Sequence, residues 1–182
     1  MIIAIGGLIA TGKSTVASLL AERLGFRHIS AGEVLREMAR RKGVSLLEIS
    51  HMAEEDHSID REIDHLQSEM AKAGDAVVES RLCGWMVDAD LKVWLRAPLA
   101  VRADRVAQRE GKSREQALQE MLAREASERK RYQEIYGIDL DDLSPYDLIL
   151  DSSRWPPEAI VETLIHLTRT LRHKEGPHGG RP

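Results

Sequence analysis

Gly7, Gly12, Lys13 and Ser14 stand in the spacing Gly-x-x-x-x-Gly-Lys-Ser, inside the run Gly7-Leu8-Ile9-Ala10-Thr11-Gly12-Lys13-Ser14-Thr15. The chemistry that fits this spacing is the holding of a nucleoside triphosphate. Glycines let successive backbone N–H groups turn inward around a phosphate. A helix starting at the end of the loop would add about half a positive charge. Lys13 would then bridge the β- and γ-phosphates, Ser14 would offer its hydroxyl to Mg2+, and Thr15 would meet the α-phosphate. Ala10 puts a methyl into the loop, which fits if the backbone there keeps a negative φ.

A phosphate loop alone serves a GTPase, an ATPase, a kinase or a sensor. No Asn-Lys-x-Asp guanine reader occurs in the sequence. Arginines instead recur where a second phosphorylated molecule would lie. Arg36 follows Ser30-Ala31-Gly32 by one helical turn, and Arg81 follows Glu79 by two residues. Arg124, Glu128 and Arg131 are four and then three apart, which places them on one helix face. Arg105 and Arg109 repeat the spacing before Gly111. As plain surface helices these pairs would gain only a few tenths of a kcal/mol each. Phosphoryl transfer gives the arginines a stronger reason. It needs positioned positive charge and exclusion of water rather than covalent help. A helix pair carrying arginines on either side of Gly111 could close as a lid.

These groups need a scaffold that brings them together. Residues 2–5 form an apolar run stopping at Gly6-Gly7, as buried parallel strands do. From Lys13 the apolar period becomes helical through Val16, Leu19, Leu20 and Leu24, and Gly25 closes it. Further strands are expected at 26–30, 76–79, 91–95 and 147–151. Residues 31–73 read as helical throughout, broken at Gly43, with Ser45 and Glu48 spaced as a capping box. Residues 99–134 read as helical and broken at Gly111. Pro156-Pro157 opens a last helix to about residue 172. Five strands alternating with helices predict a three-layer α/β fold with a parallel sheet, and ligands at the carboxyl ends of its strands. The residues named above all fall at such ends.

A chain of 182 residues suits one domain with an ample core. Its net charge of -4 argues against nucleic-acid binding by bulk electrostatics. Cys83 is the only cysteine, so no internal disulfide forms and a reducing compartment is expected. No apolar run approaches the roughly 20 residues of a membrane span. Residues 1–5 read as a core strand rather than a leader, so the expectation is a cytoplasmic enzyme without a membrane partner. The histidines show no metal-ligand spacing. Residues 173–182, rich in Gly, Pro and His, are expected to be disordered.

Taken together, these features make the sequence resemble the archaeal-type cytidylate kinases, within the P-loop nucleoside monophosphate kinases. The resemblance covers residues 1 to about 171. It is carried by Ile5-Gly6-Gly7, Ser30-Ala31-Gly32 with Arg36, Ile59-Asp60-Arg61-Glu62-Ile63-Asp64, Glu79-Ser80-Arg81-Leu82-Cys83-Gly84-Trp85, Arg124-Glu125 through Arg131-Tyr132, and Tyr136-Gly137-Ile138-Asp139. It implies one kinase domain over 1–172: a core (1–30, 74–104, 132–172), a monophosphate-binding insert (31–73) and a lid (about 105–131). It implies transfer of the ATP γ-phosphoryl group to CMP or dCMP with Mg2+, by a monomer. By motif position Ser30, Arg36, Asp60, Arg61 and Arg81 would bind the monophosphate. Arg124 and Arg131 would contact the transferring phosphates, Glu128 would orient them or meet the base or sugar, and Glu79 would hold Mg2+ through water. Bacterial relatives carry a cytosine-reading aspartate after the arginine at the position of Arg81, whereas this chain has Leu82. Asp60 and Asp64 are the substitute readers considered. The competing readings are another small-substrate P-loop kinase (UMP, AMP, shikimate or dephospho-coenzyme A) and a non-enzymatic ATP sensor. The sensor would need no arginines on both sides of a cleft.

Overall fold

The computed structural model describes residues 1–174 and has five parallel strands in the order β2-β3-β1-β4-β5. They are β1 (Ile2–Gly6), β2 (Arg27–Ser30), β3 (Ala76–Glu79), β4 (Leu91–Arg96) and β5 (Leu148–Asp151). β1 and β3 are apolar and buried almost throughout, as parallel strands covered on both faces are, whereas Ile149 of the edge strand β5 is exposed. On one face α1 (Lys13–Leu24) and α8 (Pro157–Lys174) pack Val16, Leu20, Val161 and Leu164 onto Ile3, Ile5 and Val93. A second apolar cluster joins Ala4, Ile29 and Val78 to Ala71, Cys83 and Val87.

Between β2 and β3 the chain makes only helices: α2 (Ala31–Lys42), α3 (Leu46–Glu55) and α4 (Ser58–Lys72). Their limits follow from local chemistry. Ser30 caps α2 by accepting from the Glu33 N–H, and Gly43 ends it in the left-handed region. Ser45 and Glu48 form the reciprocal capping box expected. The charged segment forms α6 (Leu99–Glu110), closed by Gly111, and α7 (Arg114–Tyr136), a helix of 23 residues. The short α5 (Cys83–Met86) carries no apolar period and was not foreseen. Gly84 in it and Gly6 on β1 both face the Tyr146 ring, which a Cβ at either position would strike. The tail expected over 173–182 lies, from residue 175 on, outside the described residues.

The register places the strand ends where the site needs them. Glu79 stands beside Ile5 on one side and Ser30 on the other. The chain leaves β1 directly into the phosphate loop, so that loop lies at the centre of the sheet's carboxyl edge.

Candidate active site

A continuous cleft of about 740 Å³ runs across that edge. Seven Lys and Arg residues line it against five Asp and Glu. That local excess of positive charge, in a chain of net charge -4, suits an anionic ligand. One end is the loop: Ala10, Gly12, Lys13, Ser14 and Thr15 face the cleft, with Gly7, Leu8 and Thr11 behind them. The other end is Ala31, Leu35, Arg36, Leu46 and Ile63 from the inserted helices.

The loop differs from expectation at Ala10, whose φ is +58° rather than negative. The left-handed region costs a non-glycine residue on the order of 1 kcal/mol. Contacts from distant residues hold it there. Arg105 donates to the Ala10 carbonyl at 3.1 Å and to the Ser152 hydroxyl and carbonyl at 3.0 and 2.9 Å. Ser152 in turn donates to the Thr11 carbonyl at 2.6 Å. Arg105, expected on a lid, is therefore a loop brace. Arg109 is the rim arginine, paired with Glu110 at 2.6 Å.

Lys13 is buried and donates to the Leu8 carbonyl at 2.8 Å. Burial, and then the nearby Arg81 charge, lower its pKa to about 7, against the opposing pull of Glu79 and Glu128. A triphosphate would return it to the charged form. ATP binding at pH 8 is therefore expected to take up a proton. Calorimetry in buffers of different ionisation enthalpy should read that uptake in the parent and lose it in Lys13→Met; equal uptake in both would assign the proton elsewhere.

Glu79, beside the loop, accepts from the Ser30 hydroxyl at 2.7 Å, with His28 Nε2 3.7 Å away. Burial alone would raise its pKa, but these neighbours and the Lys13 charge hold it at about 2. Its stabilising contribution is complete above about pH 4.5 and is lost as pH falls towards 2. Ser30 thus orients Glu79 and caps α2 instead of lining the cleft. Ser14 and Glu79 bring hard oxygen donors together, a set that fits Mg2+.

Across the cleft, charged residues meet in pairs. Arg81 donates to Glu128 at 2.8 and 3.3 Å. Burial would raise the Glu128 pKa, but Arg81 and Arg124 bring it below the usual value. Arg124 is buried with Nε lacking a protein partner. Arg131 donates to Asp60 at 2.6 Å, to the Ser50 carbonyl at 3.2 Å and to Ser127. Asp60 was expected to meet a ligand and is engaged by Arg131. Its neighbour Arg61 is exposed on α4, outside the cleft. Asp64 lines the cleft and accepts from the Tyr136 hydroxyl at 2.7 Å. Leu82 is buried with Tyr132 and Leu140, an apolar environment with no use for a carboxylate. Ser152 and Arg102 were not foreseen as site residues, and Glu125 was named only as part of a motif. The only signal was that Arg102 lies three residues before Arg105, on the same helix face.

A phosphate loop at the end of the central strand, facing a basic cleft, defines a P-loop kinase fold. Among solved structures, shikimate kinases from Bacteroides thetaiotaomicron (TM-score 0.61, 15% identity, covering 93% of this chain and 98% of that one) and Aquifex aeolicus (TM-score 0.59, 19% identity, 99% and 100%) share that fold. Within it, residues 2–154 match the cytidylate kinase-like family, and the chain belongs to that family. It is similar to the cytidylate kinases of Methanocaldococcus jannaschii (50% identical, 94% of this chain, 99% of that protein) and Pyrococcus horikoshii (50% identical, 91% and 88%). No helix among the described residues is long and apolar enough to cross a membrane.

Proposed function

We infer that this protein transfers the γ-phosphoryl group of ATP to CMP, and also to dCMP, as a monomeric cytoplasmic enzyme. The observation that carries the reading is the continuous cleft, which joins a phosphate loop to a second basic end at Arg36, Arg81 and Arg131. Half-identical relatives named cytidylate kinases supply the acceptor. The acceptor oxygen is already an oxyanion, so no general base is required. Lys13 and the loop N–H groups stabilise the triphosphate. Arg81 and Arg36 hold the monophosphate, and Arg124, with an uncommitted donor, meets the charge developing between them. Mg2+, held by Ser14 and through water by Glu79, would supply charge neutralisation on the phosphates. Helices α6 and α7 close the cleft over the reacting groups and keep water out.

Cytosine offers an exocyclic amine where uracil offers a carbonyl. Asp64 is the cleft carboxylate best suited to accept from that amine, since Asp60 is engaged by Arg131. Burial raises the Asp64 pKa to about 6, which leaves it mostly ionised at pH 7.5.

ADP release measured across CMP, dCMP, UMP, AMP, GMP and shikimate tests both points. The parent should favour the cytidine nucleotides, and failure with both would overturn the assignment. Asp64→Asn, whose amide can donate to uracil, should narrow the CMP:UMP ratio of kcat/KM by about tenfold or more. An unchanged ratio would place cytosine recognition elsewhere.

A further inference from the structure

Arg102 on α6 and Glu125 on α7 form a buried ion pair behind the phosphate loop, each side chain 8% exposed. Neither lines the cleft. Both reach the same residue of the loop, one through the peptide group before it and one through the peptide group after it. Glu125 Oε1 accepts from the Ile9 N–H at 3.0 Å, and Arg102 Nη1 donates to the Ile9 carbonyl at 3.2 Å while also donating to Glu125. The surroundings are apolar: Ile9, Ala103, Val106, Ala117 and Met121.

Stability is a weak reason to keep such a pair. Buried ion pairs replaced by apolar residues of similar size often leave a protein equally or more stable. Apolar residues could not, however, satisfy the donor and acceptor of Ile9. That residue ends the path out of β1, and Ala10 directly after it adopts the left-handed turn. The N–H groups that follow must point at phosphate, and their value depends on being fixed beforehand.

We propose that Glu125 and Arg102 are positioning residues for phosphoryl transfer. They clamp the Ile9 peptide groups, which holds the phosphate loop in its anion-binding form. They also fix α7, and with it Arg124, Glu128 and Arg131, along the cleft. The role in transfer rests on the kinase reading above; the effect on ATP affinity does not depend on the acceptor.

The test compares two double variants of the full chain. Arg102→Gln/Glu125→Gln removes both charges but keeps a donor and an acceptor for Ile9. Arg102→Met/Glu125→Leu removes charges and hydrogen bonds alike. Thermal midpoint, ATP Kd by calorimetry without acceptor, CMP KM and kcat are measured for each. The Met/Leu variant should still fold, with a midpoint lowered by about 5–15 °C because the Ile9 N–H and carbonyl lose their partners. It should bind ATP about tenfold more weakly and lose about 10- to 100-fold in kcat, with CMP KM nearly unchanged. The Gln/Gln variant should recover most of both losses. Parental ATP affinity and kcat in a folded Met/Leu variant would overturn the proposal, as would equal losses in the two variants. If the Met/Leu variant does not fold, Glu125→Gln decides. Its amide oxygen still accepts from Ile9, so ATP Kd should stay within about threefold of the parent despite a lower midpoint. A larger loss in that folded variant would overturn the clamp. Inactivity towards cytidine nucleotides with the expected ATP Kd values would count against the acceptor alone.

Discussion

Replacing Lys13 with Ala should lower kcat by about two to three orders of magnitude, the usual loss when one preorganised donor at a transferring group is removed. The fold should hold. Lys13 sits buried beside Arg81, and the cost of keeping a charge there is why its pKa falls to about 7. Deleting the amine removes one hydrogen bond, to the Leu8 carbonyl, and also an unfavourable burial. The thermal midpoint at pH 7 should therefore change little or rise slightly. The linkage sign agrees: a lysine whose folded pKa lies below its unfolded value disfavours the folded state fully below pH 7, and that penalty fades as pH approaches 10.5. Steady-state kinetics with calorimetric scanning at pH 7 and 9 would check both halves. A kcat within about threefold of the parent would show that the γ-phosphate charge is met by other groups.

Arg81→Ala should act on the other substrate. Its guanidinium holds Glu128 across the cleft, and its removal leaves that buried carboxylate with Arg124 as its main remaining cation. We expect kcat/KM for CMP to fall by about 10³, while ATP Kd moves by less than about threefold. Stability should also fall, by up to about 3 kcal/mol, because breaking a buried pair strands a charge. Arg81→Ala/Glu128→Gln should recover stability but not CMP use, which separates the two roles. There is an internal check. Arg81 helps depress the Lys13 pKa, so Arg81→Ala should shrink the proton uptake on ATP binding at pH 8. Loss of ATP affinity with CMP use intact would move Arg81 to the triphosphate side.

Much of this was legible in the sequence because the signals are local. Short apolar runs marked β1, β3 and β5, glycines closed α1, α2, α6 and α7, and the Gly-Lys-Ser spacing marked the loop. What escaped reading depends on contacts between distant residues. The positive φ of Ala10 is held by Arg105, 95 residues away. Arg131 and Asp60, each expected to meet a ligand, meet each other across 71 residues. Asp60 and Arg61 are adjacent, yet one helical step of about 100° turns the first inward and the second to solvent. Trp85, named in the sequence only as the end of a motif, packs edge-on against Tyr146, 61 residues away.

Helix α7 runs unbroken from the loop clamp at Glu125 to the grip of Arg131 on Asp60 and the Ser50 carbonyl. One rigid rod thus touches the triphosphate end of the cleft and the inserted helices together. A monophosphate that drew on Arg131 would compete with its bonds to the insert, and a shift there would be passed along the helix to the loop. The two nucleotides are then thermodynamically linked, and linkage is reciprocal: the factor by which CMP changes ATP affinity equals the factor by which ATP changes CMP affinity. Titrations in the two orders would close the same square, and the difference between its parallel sides would measure the coupling.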